Sequence, residues 1–174
     1  MNKFSFICFA GVTVGLFGDH LPSFAQSFFK VPPVKISIHN PQSTEGRKNR
    51  TTISVVVPDN AGVGLKKIIL KQLPNIDTWD WGTQSPKVYT GLYSVRANGS
   101  DGLATVELTD EDQTVVLQLN PAIDPGEQVN VMMRGFNPDA SVYQWRSFFI
   151  PDGPDPIAYQ GPILRLNVYE YPER

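Results

Sequence analysis

The chain has 174 residues, with 15 lysines and arginines against 17 aspartates and glutamates, for a formal net charge of −2. That balance lacks the basic surplus that drives nucleic-acid binding, and a single cysteine, Cys8, excludes an internal disulfide. With 15 prolines and 14 glycines, the chain is broken too often for a convincing amphipathic helix, and short strands are expected instead.

Residues 1–25 read as an export signal. Met1-Asn2-Lys3 gives a short positive start, Phe4 to Phe17 an apolar stretch, and Ser23-Phe24-Ala25 the small-x-small pattern of a cleavage site. The mature chain is expected to begin at Gln26. The apolar run is shorter than the roughly 20 residues of a spanning helix, and Gly11, Gly15 and Gly18 interrupt it, so no stable membrane span is expected after cleavage. An uncleaved N-terminal anchor, holding the same domain at a membrane surface, is the alternative. Cys8 lies inside the apolar run and not at the cleavage point, which argues against a lipoprotein. The remainder, about 150 residues, matches one domain and can bury about 68–70% of its unfolded surface without covalent staples. It divides into an N-terminal segment over 26–50, with a first strand and the polar loop His39 to Arg50, and a β-sandwich over 51–174 in the same domain.

Alternating apolar residues mark the strands. Ile53, Val55 and Val57 share one parity, and Ala104, Val106 and Leu108 another. The pattern returns in Val115, Leu117 and Leu119, in Val129, Val131 and Met133, and in Leu164, Leu166 and Val168. Turn formers separate them: Asn98-Gly99, Thr109 to Gln113, Asp124-Pro125-Gly126, Asn137-Pro138-Asp139 and Pro151-Asp152-Gly153. Leu65 to Gln72 fits both periods. Bounded by Pro58 and Pro74, it is read as a strand after a turn, or one helical turn, at Asp59 to Gly64. Tyr143, Trp145 and Phe149 share a parity that marks the inner face of a sandwich. The fold class is all-β: an antiparallel, immunoglobulin-like β-sandwich.

Reactive groups are scarce. After the signal there is no cysteine and one histidine, His39, which any serine–histidine mechanism would have to use. Asn98-Gly99-Ser100-Asp101-Gly102 resembles a nucleophile elbow only loosely, because Asn98 stands where that motif needs glycine; a hairpin turn is the simpler reading. Asp77 with Asp80, and Asp110 with Glu111 and Asp112, are carboxylate pairs of the kind glycosidases use, although both read more simply as solvated loops. Zinc lacks its ligands. Copper would need Met132 and Met133, which point to opposite faces of one strand. Calcium could draw on Asp110, Glu111 and Asp112, without an EF-hand loop. No enzymatic function and no cofactor are expected.

Aromatic residues carry the main functional signal. Trp79-Asp80-Trp81 sets two indoles on one side of an extended segment between Pro74 and Pro86, with Tyr89 and Tyr93 following. As an exposed face, Trp79, Asp80, Trp81, Tyr89 and Tyr93 would form a sugar-stacking platform or a protein contact; as an inward face, the indoles would be core.

Pro58-Asp59-Asn60-Ala61-Gly62 with Leu65, Pro121 to Gly126 leading into Val129 and Val131, Asn137-Pro138 with Tyr143, and Pro151-Asp152-Gly153 before a closing strand occur in a fixed order. In that order and spacing the chain resembles, from about Ile53 to Tyr169, the exported cyanobacterial family known as domain of unknown function 2808. The resemblance implies an exported protein with a β-sandwich-like domain, and no established activity. The expected function is a non-catalytic binding or structural module of the cell envelope, periplasm or thylakoid lumen, with an envelope or luminal protein, or a glycan, as partner. A periplasmic metal-binding carrier for copper or calcium is the alternative, and a carbohydrate-binding or carbohydrate-active protein stands third.

Overall fold

The computed structural model describes residues 26–109 and 113–171. The export signal expected over residues 1–25 therefore lies outside the described residues, as do Asp110, Glu111 and Asp112. Among the described residues there are nine strands and no helix: β1 (Lys35–His39), β2 (Thr51–Val56), β3 (Leu65–Gln72), β4 (Lys87–Thr90), β5 (Ala104–Thr109), β6 (Thr114–Ile123), β7 (Gln128–Met133), β8 (Val142–Pro151) and β9 (Tyr159–Asn167). The ambiguous segment Leu65 to Gln72 is a strand, paired antiparallel on both sides, to β6 and to β8. Its place at the centre of a sheet settles the period: Ile68 and Leu70 face inward while Lys67, Ile69 and Lys71 alternate outward.

The strands form two antiparallel sheets, β1-β2-β7-β4 and β5-β6-β3-β8-β9. The first has the A-B-E-D order of an immunoglobulin sandwich, and β3, β8 and β9 are the C, F and G strands of the second. The hairpin β5–β6 enters between the D and E positions and widens the second sheet beside C. The immunoglobulin-like character thus follows from strand order alone.

Between the sheets lies a single core cluster. Ile53 and Val55 from the first sheet, Val57 just after β2, and Leu117, Leu119, Tyr143, Trp145 and Phe149 from the second sheet are fully buried in it, each large apolar side chain contributing about 1.5–3 kcal/mol by leaving water. Burial falls along β5, an edge strand, where Ala104 is buried and Leu108 is exposed. Met133 is in the core and Met132 points away from it, so the two thioethers sit on opposite faces of β7.

The outer face of the first sheet is covered as well. Residues 91–100, leaving β4, cross it as a strap, and beneath lie Thr52, Ser54, Asn130 and Met132, all buried although they point away from the core. Polar partners offset that burial. Ser54 Oγ donates to Asn130 Oδ1 at 2.6 Å, and Asn130 Nδ2 donates to Gly91 O at 2.7 Å. Arg50 clamps the strap by donating to the carbonyls of Val95 and Ala97 while its Nε meets Met132 Sδ.

Candidate functional site

The Trp79-Asp80-Trp81 segment runs extended across one end of the sandwich, and both indoles point inward. Trp79 is 2% exposed and Trp81 6%. Neither can serve as an open stacking platform, which corrects the exposed-face expectation for these two residues. The reason is local: the segment follows β3 directly, and the buried Gln72 side chain fixes its course by donating from Nε2 to Asp77 O at 2.8 Å and accepting from the Trp79 N–H at 2.9 Å. The indoles then plug the end of the core. Trp79 lies 5.4 Å from Trp145 and 5.5 Å from Tyr143 in edge-to-face geometry, 6.2 Å from Trp81, and Trp81 is 5.7 Å from Trp145. Trp79 Nε1 and Trp145 Nε1 are buried without a hydrogen-bond partner among the described residues. Tyr143 donates its hydroxyl to Asp139 O at 2.8 Å, and burial, reinforced by the nearby Asp77 and Asp139 charges, pushes its pKa up to about 12.

Asp80, between the indoles, points the other way and joins two loops. Oδ1 accepts the Gly82 N–H at 2.7 Å and Oδ2 the Phe136 N–H at 2.8 Å. The crossing is close enough to require glycine on both sides. A Cβ on Gly82, whose φ is +77°, would lie 1.8 Å from Arg134 O, and one on Gly135 would lie 2.2 Å from Asp80 O. Asn137 ties in the third loop: its Oδ1 accepts from Asn40 Nδ2 at 2.9 Å and Asn49 Nδ2 at 2.8 Å, and its Nδ2 donates to Gln42 O and Thr44 O, each at 2.6 Å. The supposed polar loop His39 to Arg50 is therefore anchored, with Asn49 itself buried.

These three loops enclose a cleft of about 560 Å³ lined by Lys48, Arg50, Asp80, Gln84, Arg134 and Phe136, among others. Three cations face one carboxylate whose oxygens are already committed to backbone N–H groups. Phe136 presents a ring that is 49% exposed, with Lys48 Nζ 5.7 Å from its centroid. Neither Lys48 nor Arg134 forms an ion pair among the described residues. Such a lining suits a ligand that is anionic and has an apolar ring face.

Tyr89 and Tyr93 lie elsewhere, on the strap side of the first sheet. The Tyr89 hydroxyl donates to Ser94 O at 3.3 Å and accepts the Ser94 N–H at 3.2 Å. Tyr93 stacks on His39, centroids 3.6 Å apart and planes 8° from parallel. Burial lowers the His39 pKa and raises that of Tyr93, with Tyr89 adding to the rise and Arg50 opposing it. Of the five residues expected to form one surface, only Asp80 lines the cleft. Lys48, Arg134 and Phe136 escaped sequence reasoning because two loops far apart in sequence deliver them, one before β2 and one after β7. The one sequence signal was an aromatic residue directly before the Asn137-Pro138 turn. Among the described residues no group of three or more His, Cys, Asp or Glu is placed to hold a metal ion, and no helix is long and apolar enough to cross a membrane.

A family profile matches residues 26–168, most of the chain. The chain belongs to the family described as "Protein of unknown function (DUF2808)". No curated protein matches it. Among solved structures, this DUF2808 chain is similar to an uncharacterized protein from Nocardia farcinica with an immunoglobulin-like fold (15% identity, 76% of this chain and 96% of that one, TM-score 0.48). It is also similar to the full-length major pilin SpaD from Corynebacterium diphtheriae (12% identity, TM-score 0.46), covering 78% of this chain but only 34% of the pilin. A third is the collagen-binding subdomain of the Enterococcus faecalis surface protein ACE (8% identity, 76% and 95% coverage, TM-score 0.45). The strand order of this DUF2808 chain is by itself that of an all-β immunoglobulin-like sandwich, and its family is described as of unknown function.

Proposed function

We propose that this protein is an exported, non-catalytic binding module of the cell envelope, periplasm or thylakoid lumen of a cyanobacterium, and that its loop-end cleft holds an acidic glycan. Export is supported by the charged start, apolar run and small-x-small site of residues 1–25, and by a family match that begins at Gln26, the residue after the expected cleavage point.

The cleft carries the proposal. Phe136 offers a half-exposed ring for the C–H face of a sugar, Lys48 and Arg134 offer cations for its carboxylates, and Gln42 and Gln84 offer amides for its hydroxyls. The same geometry speaks against hydrolysis. Glycosidases need a pair of carboxyl groups across the scissile bond, whereas among the described residues the cleft has Asp80 alone, with both oxygens accepting backbone N–H groups. His39 is held in its stack with Tyr93, outside the cleft lining.

Calorimetric titration with a uronic-acid oligosaccharide and with its neutral counterpart tests the reading. The acidic oligomer is expected to bind and the neutral one to bind far more weakly. Lys48→Ala with Arg134→Ala should weaken acidic binding at least about tenfold, since a hydrogen bond to a charged group is worth about 1.5–3 kcal/mol. Equal affinity for both oligomers, or an unchanged double variant, would sink the assignment.

A further inference from the structure

The second sheet, unlike the first, has no segment crossing its outer face among the described residues. At its middle, Val116 and Phe148 stand directly opposite Ile69 on either side, making an apolar row across β6, β3 and β8. Ile150, two residues beyond Phe148, and Ile163 on β9 extend that row into a patch. Val116, Ile69, Phe148 and Ile150 are half-buried and Ile163 is exposed; none of the five belongs to the core. Cations border the patch on both sides: Lys67, opposite Ile150, on one, and Lys71 with Arg146, opposite each other, on the other, with Arg165 beyond. The one carboxylate on this face among the described residues of the five strands is Glu107, on the edge strand opposite Val116.

We infer that this face is a docking surface for an anionic lipid bilayer. The charge pattern selects that occupant. A second copy packed face to face would set Lys67, Arg146 and Arg165 against cations of the same kind, at a cost that grows as water leaves the contact. A bilayer with acidic headgroups meets both parts of the face at once. The long lysine and arginine side chains reach headgroup phosphates while the low apolar row between them rests at the acyl boundary. Residues 91–100 cover the other sheet and none of the described residues covers this one, although the net charge of −2 would disfavour an anionic surface without a local basic face. The inference does not depend on the cleft, whose cations come from loops at one end of the sandwich.

Flotation of the purified exported protein with vesicles tests it. The protein should float with vesicles of phosphatidylcholine plus phosphatidylglycerol, stay behind with phosphatidylcholine alone, and be released by salt. Each cation near an anionic surface is worth about fivefold in partitioning. Lys67→Glu with Arg146→Glu should therefore lower binding by at least about 25-fold, while Lys35→Glu, on the opposite sheet, should leave it unchanged. Phe148→Ser should weaken binding too, but because that side chain is half-buried and its loss can unfold the sheet, the charge pair is the deciding variant. Failure to float with phosphatidylglycerol, or flotation indifferent to the charge pair, would overturn the inference. So would a lipid-free dimer in sedimentation equilibrium that dissociates on Phe148→Ser, since the face would then belong to a second copy.

Discussion

Replacing Trp79 by alanine should cost this domain about 3–5 kcal/mol, the range for truncating a large buried aromatic. The structure places the residue inside that range and not below it. Its indole is 2% exposed and has three aromatic neighbours within 6.2 Å, and each such pair adds about 0.5–1.5 kcal/mol beyond area burial. One contribution runs the other way. Nε1 is buried without a partner, a desolvation cost of about 1–3 kcal/mol that truncation relieves. Trp79→Phe, which removes the orphan N–H and keeps a ring against Trp145 and Tyr143, should therefore cost less than about 2 kcal/mol. Set against a total stability of about 5–15 kcal/mol, the two variants are easily distinguished by urea unfolding followed in the near-ultraviolet circular dichroism of the aromatic cluster. If Trp79→Ala unfolds within about 1 kcal/mol of the parent, or if phenylalanine proves as costly as alanine, the reading of Trp79 as a core plug with an unsatisfied donor is refuted.

Gly82→Ala should destabilise the fold by more than about 2 kcal/mol, because it adds both a left-handed backbone penalty and a Cβ at 1.8 Å from Arg134 O. Acidic-oligosaccharide affinity should fall with it, as the loops enclosing the cleft separate; unchanged unfolding and binding would show that the crossing is loose. The His39 stack makes stability depend on pH. Burial lowers its folded pKa below the usual 6.5, so the unfolded chain binds a proton first, and stability present above about pH 6.5 is lost as pH falls below it. His39→Gln should flatten the thermal-unfolding midpoint between about pH 7.5 and pH 5.5, one unit to either side of the usual 6.5, and an identical slope in the variant would exclude His39 as its source.

Most of the sandwich could be read from the sequence because alternation along a strand is dictated by the pleat. Ile53, Val55 and Val57, and likewise Tyr143, Trp145 and Phe149, fell on one face and that face is the core. Alternation has no sign, however. It placed Trp79 and Trp81 together correctly but could not say whether they faced water or the core; the nearby Gln72 side chain and the packing against Trp145, distant in sequence, decide that, and alternation encodes neither. The cleft was illegible for a related reason. Lys48, Asp80 and Phe136 lie in three loops, and what gathers them is Asp80 reaching the Phe136 N–H and Asn137 reaching the loop before β2. Asn137 read as a turn residue, and turn chemistry does not announce that the same amide will serve four partners.

The short strand β4 ends the first sheet, where an unpaired backbone would invite another chain to add a strand. Here the outward groups of Val88 are both taken, since its N–H donates to Ser100 O at 2.9 Å and its carbonyl accepts from Ser100 N at 2.8 Å. Pro86, the previous outward position, has no N–H to offer. A strap that covers a sheet face thus also closes its margin, and the protein can be concentrated in a confined compartment without that edge seeding strand-by-strand polymerisation.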